Sequence, residues 1–310
     1  MRSPTAAIDC GTNTIKLLVT GPSGEALARE ARMVRLGEGV DSTGRLSPAA
    51  LQRTFAAIDE YAVLVRRHGA DRIRFCATSA TRDADNAEEF AAGVATRLGV
   101  RPEVLAGEEE AALAFAGAVE HLGIDPDRAP EGDVLVVDIG GGSTEVIVGT
   151  AGRSIPRAAY SMDIGSVRLH ERHLRLDPPG RNEIEAAVAD IEQALDVCPF
   201  DLAGASTVIG VAGTITTVAA GVLGLASYDR EAIDRQVLVA AEVREHARRL
   251  VAMTVAERRG LPWMHPGRAD VIGAGALILS GVLARSEASS LLVSECDILD
   301  GIAASLLDEP

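Results

Sequence analysis

Two short glycine-bearing segments of this chain place acidic residues at one repeated spacing. The first, IDCGTNT at residues 8–14, ends an apolar run on Asp9 and continues with Gly11, Thr12, Asn13 and Thr14. The second, DIGGGSTE at residues 138–145, sets Asp138 before Gly140, Gly141, Gly142, Ser143 and Thr144 and closes on Glu145. Turns of small residues present backbone N–H groups and hydroxyls that wrap an anionic oxygen, and glycine admits a close backbone approach. A plain hairpin turn accounts for the first segment equally well. Three consecutive glycines in the second exceed what a hairpin needs and cost backbone entropy. That surplus points to a guest pressed against the backbone, with phosphate as the usual one. Asp138 and Glu145 stand seven apart across the turn, so both carboxylates can face one site. Hard carboxylate oxygens with room for water suit Mg²⁺.

A third segment, GEEEAALAF at residues 107–115, opens a helix with Glu108, Glu109 and Glu110. One or two acids there are explained by the positive end of the helix. Three adjacent carboxylates repel one another, and crowding raises a pKa. A glutamate so placed can take a proton from water. Two further segments could contact phosphate. CATSATRDADN (residues 76–86) ends a strand in small polar residues followed by Arg82, and arginine is a phosphate clamp. GVAGTITT (residues 210–217) runs a strand into Gly213 and Thr214 at a helix start, a ready anion site. A surface arginine and an ordinary helix cap explain these two about as well. His170 and His173 read as a solvated helix face rather than a zinc site. Neither GxSxG nor GxxxxGK[ST] occurs.

The elements that must hold these residues alternate between strand and helix. Strands are predicted near residues 5–9, 15–20, 25–36, 73–77 and 103–105. Helices follow over about 48–68, 86–98 and 108–122. A Pro-, Asp- and Gly-rich stretch at residues 123–132 reads as a linker. After it the opening pattern recurs, with strands at 133–138 and 145–150 around the second glycine loop. Asp9 and Asp138 are 129 residues apart, which suggests one repeat per domain. Later helices are expected near 167–174, 181–197, 241–253, 268–285 and 298–307, with strands at 208–211 and 291–293. Strands alternating with helices imply an α/β class.

Composition narrows the partners. The 310 residues are 47% hydrophobic but only 3% aromatic, so the core is built from Ala, Val, Leu and Ile. A net charge of −15 excludes a basic face for nucleic acid. A polyanion would then be held only by a local set of N–H groups, arginines and metal. Lys16 is the sole lysine among 30 basic residues. The four cysteines form no CxxC pair, as in reduced cytosolic proteins. No leader pattern opens the chain, and the apolar stretch at 271–283 is too short to span a bilayer. A cytoplasmic protein without membrane or nucleic-acid partners is the expectation.

Taken together and in this order, IDCGTNT, ATSATR, GEEEA, DIGGGSTE, DIGSVRLHE (residues 163–171), GVAGT and RADVIGAGALIL (residues 268–279) resemble the exopolyphosphatase / guanosine pentaphosphate phosphohydrolase family. The resemblance spans essentially the whole chain and matches the short, two-domain form. It implies two ribonuclease-H-like domains of the actin, sugar kinase and Hsp70 type, with a cleft between them. The implied domains are residues 1–124, onto which the last helix (about 298–310) packs back, and residues 125–297. It further implies Glu110 as catalytic base, with a register question against Glu109 raised by the third glutamate. Asp138 and Glu145 correspond to the family's Mg²⁺ ligands. Asp9, Gly11–Thr14, Arg82, Gly140–Thr144, Gly213 and Thr214 correspond to its phosphate contacts, and Arg268 to a candidate nucleotide contact. The implied activity is hydrolysis of terminal phosphate from inorganic polyphosphate, with Mg²⁺ or another hard divalent cation, in a homodimer. Guanosine pentaphosphate as substrate, a small-molecule kinase of the same fold, and a non-catalytic guanosine tetraphosphate sensor are the rivals.

Overall fold

Strand β1 (Thr5–Cys10) is buried at every position, which requires cover on both faces of its sheet. Ala6, Ile8 and Cys10 join one core cluster with Leu51, Ile58, Tyr61 and Val65 of helix α1 (Pro48–His68). That helix begins where Ser47 Oγ accepts from Ala50 N–H with Pro48 in the first turn. It ends at Gly69, whose positive φ of 66° lets its N–H reach back to the last-turn carbonyls. The opposite face of β1 is covered by the last helix of the chain, Ile298–Asp308, which also packs on two neighbouring strands. The computed structural model describes residues 3–123, 129–205 and 207–308, with no side-chain description for residue 308.

The first sheet has the order β3-β2-β1-β4-β5. Its members are β1, β2 (Thr14–Thr20), β3 (Ala26–Met33), β4 (Arg72–Ala77) and β5 (Glu103–Val104). β1, β2 and β3 form an antiparallel meander, and β4 and β5 add in parallel beyond β1. Helices α2 (Ala87–Leu98) and α3 (Gly107–Gly123) complete this part of the chain. The second sheet repeats the plan with one further edge strand, in the order β10-β11-β9-β6-β7-β8. It comprises β6 (Asp133–Ile139), β7 (Thr144–Thr150), β8 (Ala158–Met162), β9 (Thr207–Val211), β10 (Val237–Val239) and β11 (Ser290–Val293). Again three strands run as an antiparallel meander, and the next adds in parallel beside the first. Helices α4 (Ser166–His173), α5 (Arg181–Asp196), α6 (Ala212–Val222), α7 (Ala240–Ala252) and α8 (Ile272–Arg285) accompany this sheet, and α9 is Ile298–Asp308. This is the α/β, ribonuclease-H-like plan twice over.

By contacts the chain divides into Met1–Gly117 with Ile298–Pro310, and Ala118–Asp297. The division falls within α3. The stretch read as a linker includes residues 124–128, which lie outside the described residues. Three local features depart from the sequence expectation. The strand expected to reach residue 36 stops at Met33, because the N–H groups of Val34 and Arg35 both turn to the Asn13 carbonyl at 3.0 Å. Strands β8 and β10 were not anticipated, since neither segment has a recognisable apolar alternation and their pairing partners supply the order. Helix α8 is buried along most of its length and rich in glycine, and among the described residues no helix is long and apolar enough to cross a membrane.

Candidate active site

In the first unit the site is built at the carboxyl end of β1. Asp9 stands opposite Lys16 across the β1–β2 ladder, and Lys16 Nζ lies 3.2 Å from Asp9 Oδ2. Gly11 N–H closes the turn on the Thr14 carbonyl at 3.0 Å. The carbonyls of Thr12 and Asn13 are held from one side, by Gly37 N–H and by the N–H groups of Val34 and Arg35. A trans peptide points its C=O and N–H in opposite directions, so the N–H groups of Asn13 and Thr14 face away from that anchor. Thr12 Oγ1 is hydrogen-bonded to Ser79 Oγ at 2.9 Å. Asn13 Oδ1 and Thr81 Oγ1 are buried without a protein partner. Groups of that kind cost free energy unless something satisfies them.

The strand β4 runs parallel to β1, with Cys76 beside Asp9, and delivers Thr78 and Arg82 to the same end. Arg82 Nη1 donates to the Leu105 carbonyl at 2.8 Å and to Glu110 Oε2 at 3.3 Å. Glu110 is 8% exposed. Burial pushes its carboxyl up to about 7, opposed by the Arg82 guanidinium and a hydrogen bond from Thr78 and reinforced by the negative charge of Asp9. Glu109 differs in kind, because its carboxylate accepts from Ala106 N–H at 3.0 Å and caps the helix. Among the three glutamates, then, Glu110 is the one set into the wall with a proton affinity near neutrality. Arg82 is committed to this carboxylate as well as exposed to any anion nearby.

In the second unit, Asp138 and Glu145 are directly opposed on β6 and β7, so both side chains project from one face of the sheet. They are 5% and 1% exposed. Ser161 Oγ, on the unforeseen strand β8, donates to Glu145 Oε1 at 2.7 Å and orients it. Between them lies the triple-glycine loop. Gly140 N–H closes on the Ser143 carbonyl at 3.0 Å, while the carbonyls of Gly140 and Gly141 accept from Ser166, Val167 and Arg168 N–H groups at the start of α4. By the same peptide geometry the N–H groups of Gly141 and Gly142 point the other way. Gly165 is glycine because the loop packs directly against it. A Cβ there would meet the backbone of Gly141 and Gly142 at about 2.5 Å. Thr144 Oγ1 is buried without a protein partner.

β9 pairs in parallel with β6, Val211 beside Asp138, and hands the chain directly to α6. Ala212 at that junction adopts φ 67°, unusual for a residue with a Cβ. Gly213 follows, and the Arg268 guanidinium sits where its Cβ would be. Thr214 is buried and, like Ser166, packs against Gly275. Tyr228 Oη donates to Glu295, which Arg230 also binds, and accepts from Thr216 Oγ1 at 2.8 Å. Burial lowers the Arg268 pKa against the opposing charges of Tyr228, Glu295 and Asp297.

Each unit thus gathers its own predicted residues: Asp9, Gly11–Thr14, Arg82 and Glu110 in the first, and Asp138, Gly140–Thr144, Glu145, Gly213, Thr214 and Arg268 in the second. Sequence reasoning did not single out Lys16, Thr78, Ser161 or Gly165 as functional. Gly165 and Thr78 carried a signal, inside the segments DIGSVRLHE and ATSATR. The carboxylates of Asp138 and Glu145 fit a hard divalent ion: both are oxygen donors, buried and on one face, and Glu145 is oriented by the Ser161 hydroxyl. Among the described residues no group of three or more His, Cys, Asp or Glu that could hold a metal occurs. Water and phosphate oxygens would complete the shell, which is how Mg²⁺ is usually bound.

Comparison with known proteins identifies the family. The chain is 45% identical over 322 aligned residues to exopolyphosphatase 2 of Mycobacterium tuberculosis, covering 97% of this chain and 98% of that one. It is 33% identical over 215 residues to a guanosine-5'-triphosphate,3'-diphosphate pyrophosphatase of Photobacterium profundum, covering 68% of this chain and 42% of that protein. A crystal structure of an exopolyphosphatase-like protein, 42% identical, matches with a TM-score of 0.93 over 98% of each chain. The profile of the Ppx/GppA phosphatase family matches residues 20–309, and the chain belongs to that family.

Proposed function

We infer that this protein is an exopolyphosphatase, a phosphoanhydride hydrolase that releases terminal phosphate from inorganic polyphosphate. The observation that carries the mechanism is Glu110, a buried carboxyl pushed up to about 7 beside the Asp9 hairpin. A base with that proton affinity accepts a proton at neutral pH and still returns it to solvent. Glu110 orients the attacking water and takes its proton as the water oxygen bonds to the terminal phosphorus, while the bridging P–O bond breaks and the chain, one phosphate shorter, leaves with the electron pair. Thr78 and Arg82 fix the carboxylate. In the first unit the N–H groups of Asn13 and Thr14, and in the second those of Gly141 and Gly142 with Gly213 and Thr214 at the start of α6, are donors suited to phosphoryl oxygens, whose charge grows in the transition state. Asp138 and Glu145 would hold Mg²⁺, which supplies charge neutralisation for the phosphoryl oxygens. Preorganised local donors are the only means by which a chain of net charge −15 can hold a polyanion.

The reading includes a cytoplasmic homodimer. Free cysteines, two of them buried, support the first part; the second rests on the family resemblance and is checked by light scattering. A second substrate, guanosine pentaphosphate, is favoured by the Arg268 guanidinium seated on Gly213 beside Tyr228, where a nucleotide end could be received. The test is phosphate release from polyphosphate of defined lengths and from guanosine pentaphosphate at equal concentration, with Mg²⁺ or with chelator. Mg²⁺-dependent release from polyphosphate is expected. Preference for the nucleotide would transfer the assignment to it, and tight guanosine tetraphosphate binding without turnover on either substrate would replace the hydrolase with a sensor.

A further inference from the structure

The two glycine hairpins correspond position by position. In the first, Asp9 stands opposite Lys16 and Cys10 opposite Ile15. In the second, Asp138 stands opposite Glu145 and Ile139 opposite Thr144. Every residue of the second is 129 positions after its counterpart. Both turns close on the equivalent bond, Gly11 to Thr14 and Gly140 to Ser143, each at 3.0 Å. Both aspartates also have a parallel neighbour, Cys76 on β4 and Val211 on β9. Against this correspondence one position inverts its charge: where the second hairpin has Glu145, the first has Lys16, the only lysine of the chain.

Directly opposed residues on an antiparallel pair share a face at roughly 5 Å, where unlike charges stabilise and like charges destabilise. Removing a carboxylate from water requires a compensating charge. Lys16 provides it for Asp9 at 3.2 Å, with side chains 19% and 6% exposed. One ammonium neutralises one carboxylate in the first hairpin; one divalent ion would neutralise the two carboxylates of the second. We propose that Lys16 is a resident cation standing in for a metal ion, so that the first hairpin is barred from binding a divalent ion and the protein takes one ion only, at Asp138 and Glu145. The inference rests on the Mg²⁺ reading of that acidic pair, and the two fail separately in the following experiment.

Mn²⁺ is titrated into the full-length protein and followed by the electron paramagnetic resonance signal of the free ion, with thermal melts of every variant. Wild type is expected to take up one ion that Glu145→Lys does not. Lys16→Glu recreates the acidic pair in the first hairpin and is expected to take up one ion more than wild type, lost again when Asp9→Asn is added. Uptake by Glu145→Lys equal to wild type would remove the ion from Asp138 and Glu145. A folded Lys16→Glu with wild-type stoichiometry would overturn the role of Lys16, whatever Glu145→Lys shows. Should Lys16→Glu not fold, Lys16→Gln decides. With the Lys16 charge removed, Mn²⁺ should raise the melting midpoint of this variant more than that of wild type, and an equal rise would overturn the proposal.

Discussion

Glu110 Oε2 lies 3.3 Å from Arg82 Nη1, and the same nitrogen donates to the Leu105 carbonyl at 2.8 Å. The arginine is therefore held by a backbone group independent of the carboxylate it steadies. Desolvation raises the affinity of Glu110 for a proton and Arg82 moderates it, leaving the group near 7. A carboxylate with this balance is poised to exchange a proton at neutral pH.

Replacing Glu110 with Gln should lower the rate of phosphate release by about 10²–10⁴-fold, the usual contribution of a positioned general base. It should also change stability with a definite sign. The folded-state pKa of Glu110, about 7, lies above its ordinary value of 4.5. The group's contribution is therefore fully present below about 4.5 and is lost as pH rises through 7. At pH 8 the wild type carries a burial cost that the amide avoids, on the order of 3 kcal/mol at most. Denaturant melts should show Glu110→Gln gaining stability over wild type between pH 4.5 and 7; parallel pH profiles would contradict the perturbed carboxyl.

The rate itself should rise with pH through a midpoint near 7, as Glu110 becomes ionised. Arg82 pulls that midpoint down. Substituting Arg82 with Met should move the acid limb upward by about one pH unit, since a removed opposite charge raises a carboxyl pKa. A pH–rate profile for the variant, taken at saturating polyphosphate, checks this. An unmoved limb with weaker substrate binding alone would leave Arg82 a phosphate contact and nothing more.

Ser161 reaches Glu145 Oε1 at 2.7 Å from β8. Ser161→Ala should raise the Mg²⁺ concentration for half-maximal activity about 10-fold, the lower end expected for losing a hydrogen bond to a metal ligand. Rates at saturating Mg²⁺ should fall much less. Titrating activity with Mg²⁺ separates the two effects.

Ala212 opens α6 with φ 67°. A Cβ in that region costs about 1–2 kcal/mol, which glycine avoids. Ala212→Gly should relieve this, less the entropy glycine adds to the unfolded chain, for a net gain of up to about 1 kcal/mol. For a domain of this size the melting midpoint would rise by roughly 2–4 °C, measurable by calorimetry. A lower midpoint would mean that surrounding contacts require the methyl group.

The segments proposed to bear chemistry stood out in the sequence because their constraints are local. An aspartate closing an apolar strand, more glycines than a hairpin tolerates, and Ser-Pro before a helix with Gly after it are written within a few positions. Alternation of such segments fixed the α/β class, and the 129-residue interval between Asp9 and Asp138 exposed the duplication. The tertiary structure alone decided what depends on partners distant in the chain. It separated Glu110 from Glu109, since only packing determines which carboxylate is buried against Thr78 and Arg82 and which caps a helix in solvent. It brought Ser161 to Glu145 through a strand ordered by its neighbour, and it set Lys16 against Asp9 in the register that places Glu145 against Asp138. Burial belongs to the fold, because it arises only when segments far apart in sequence share one desolvated space.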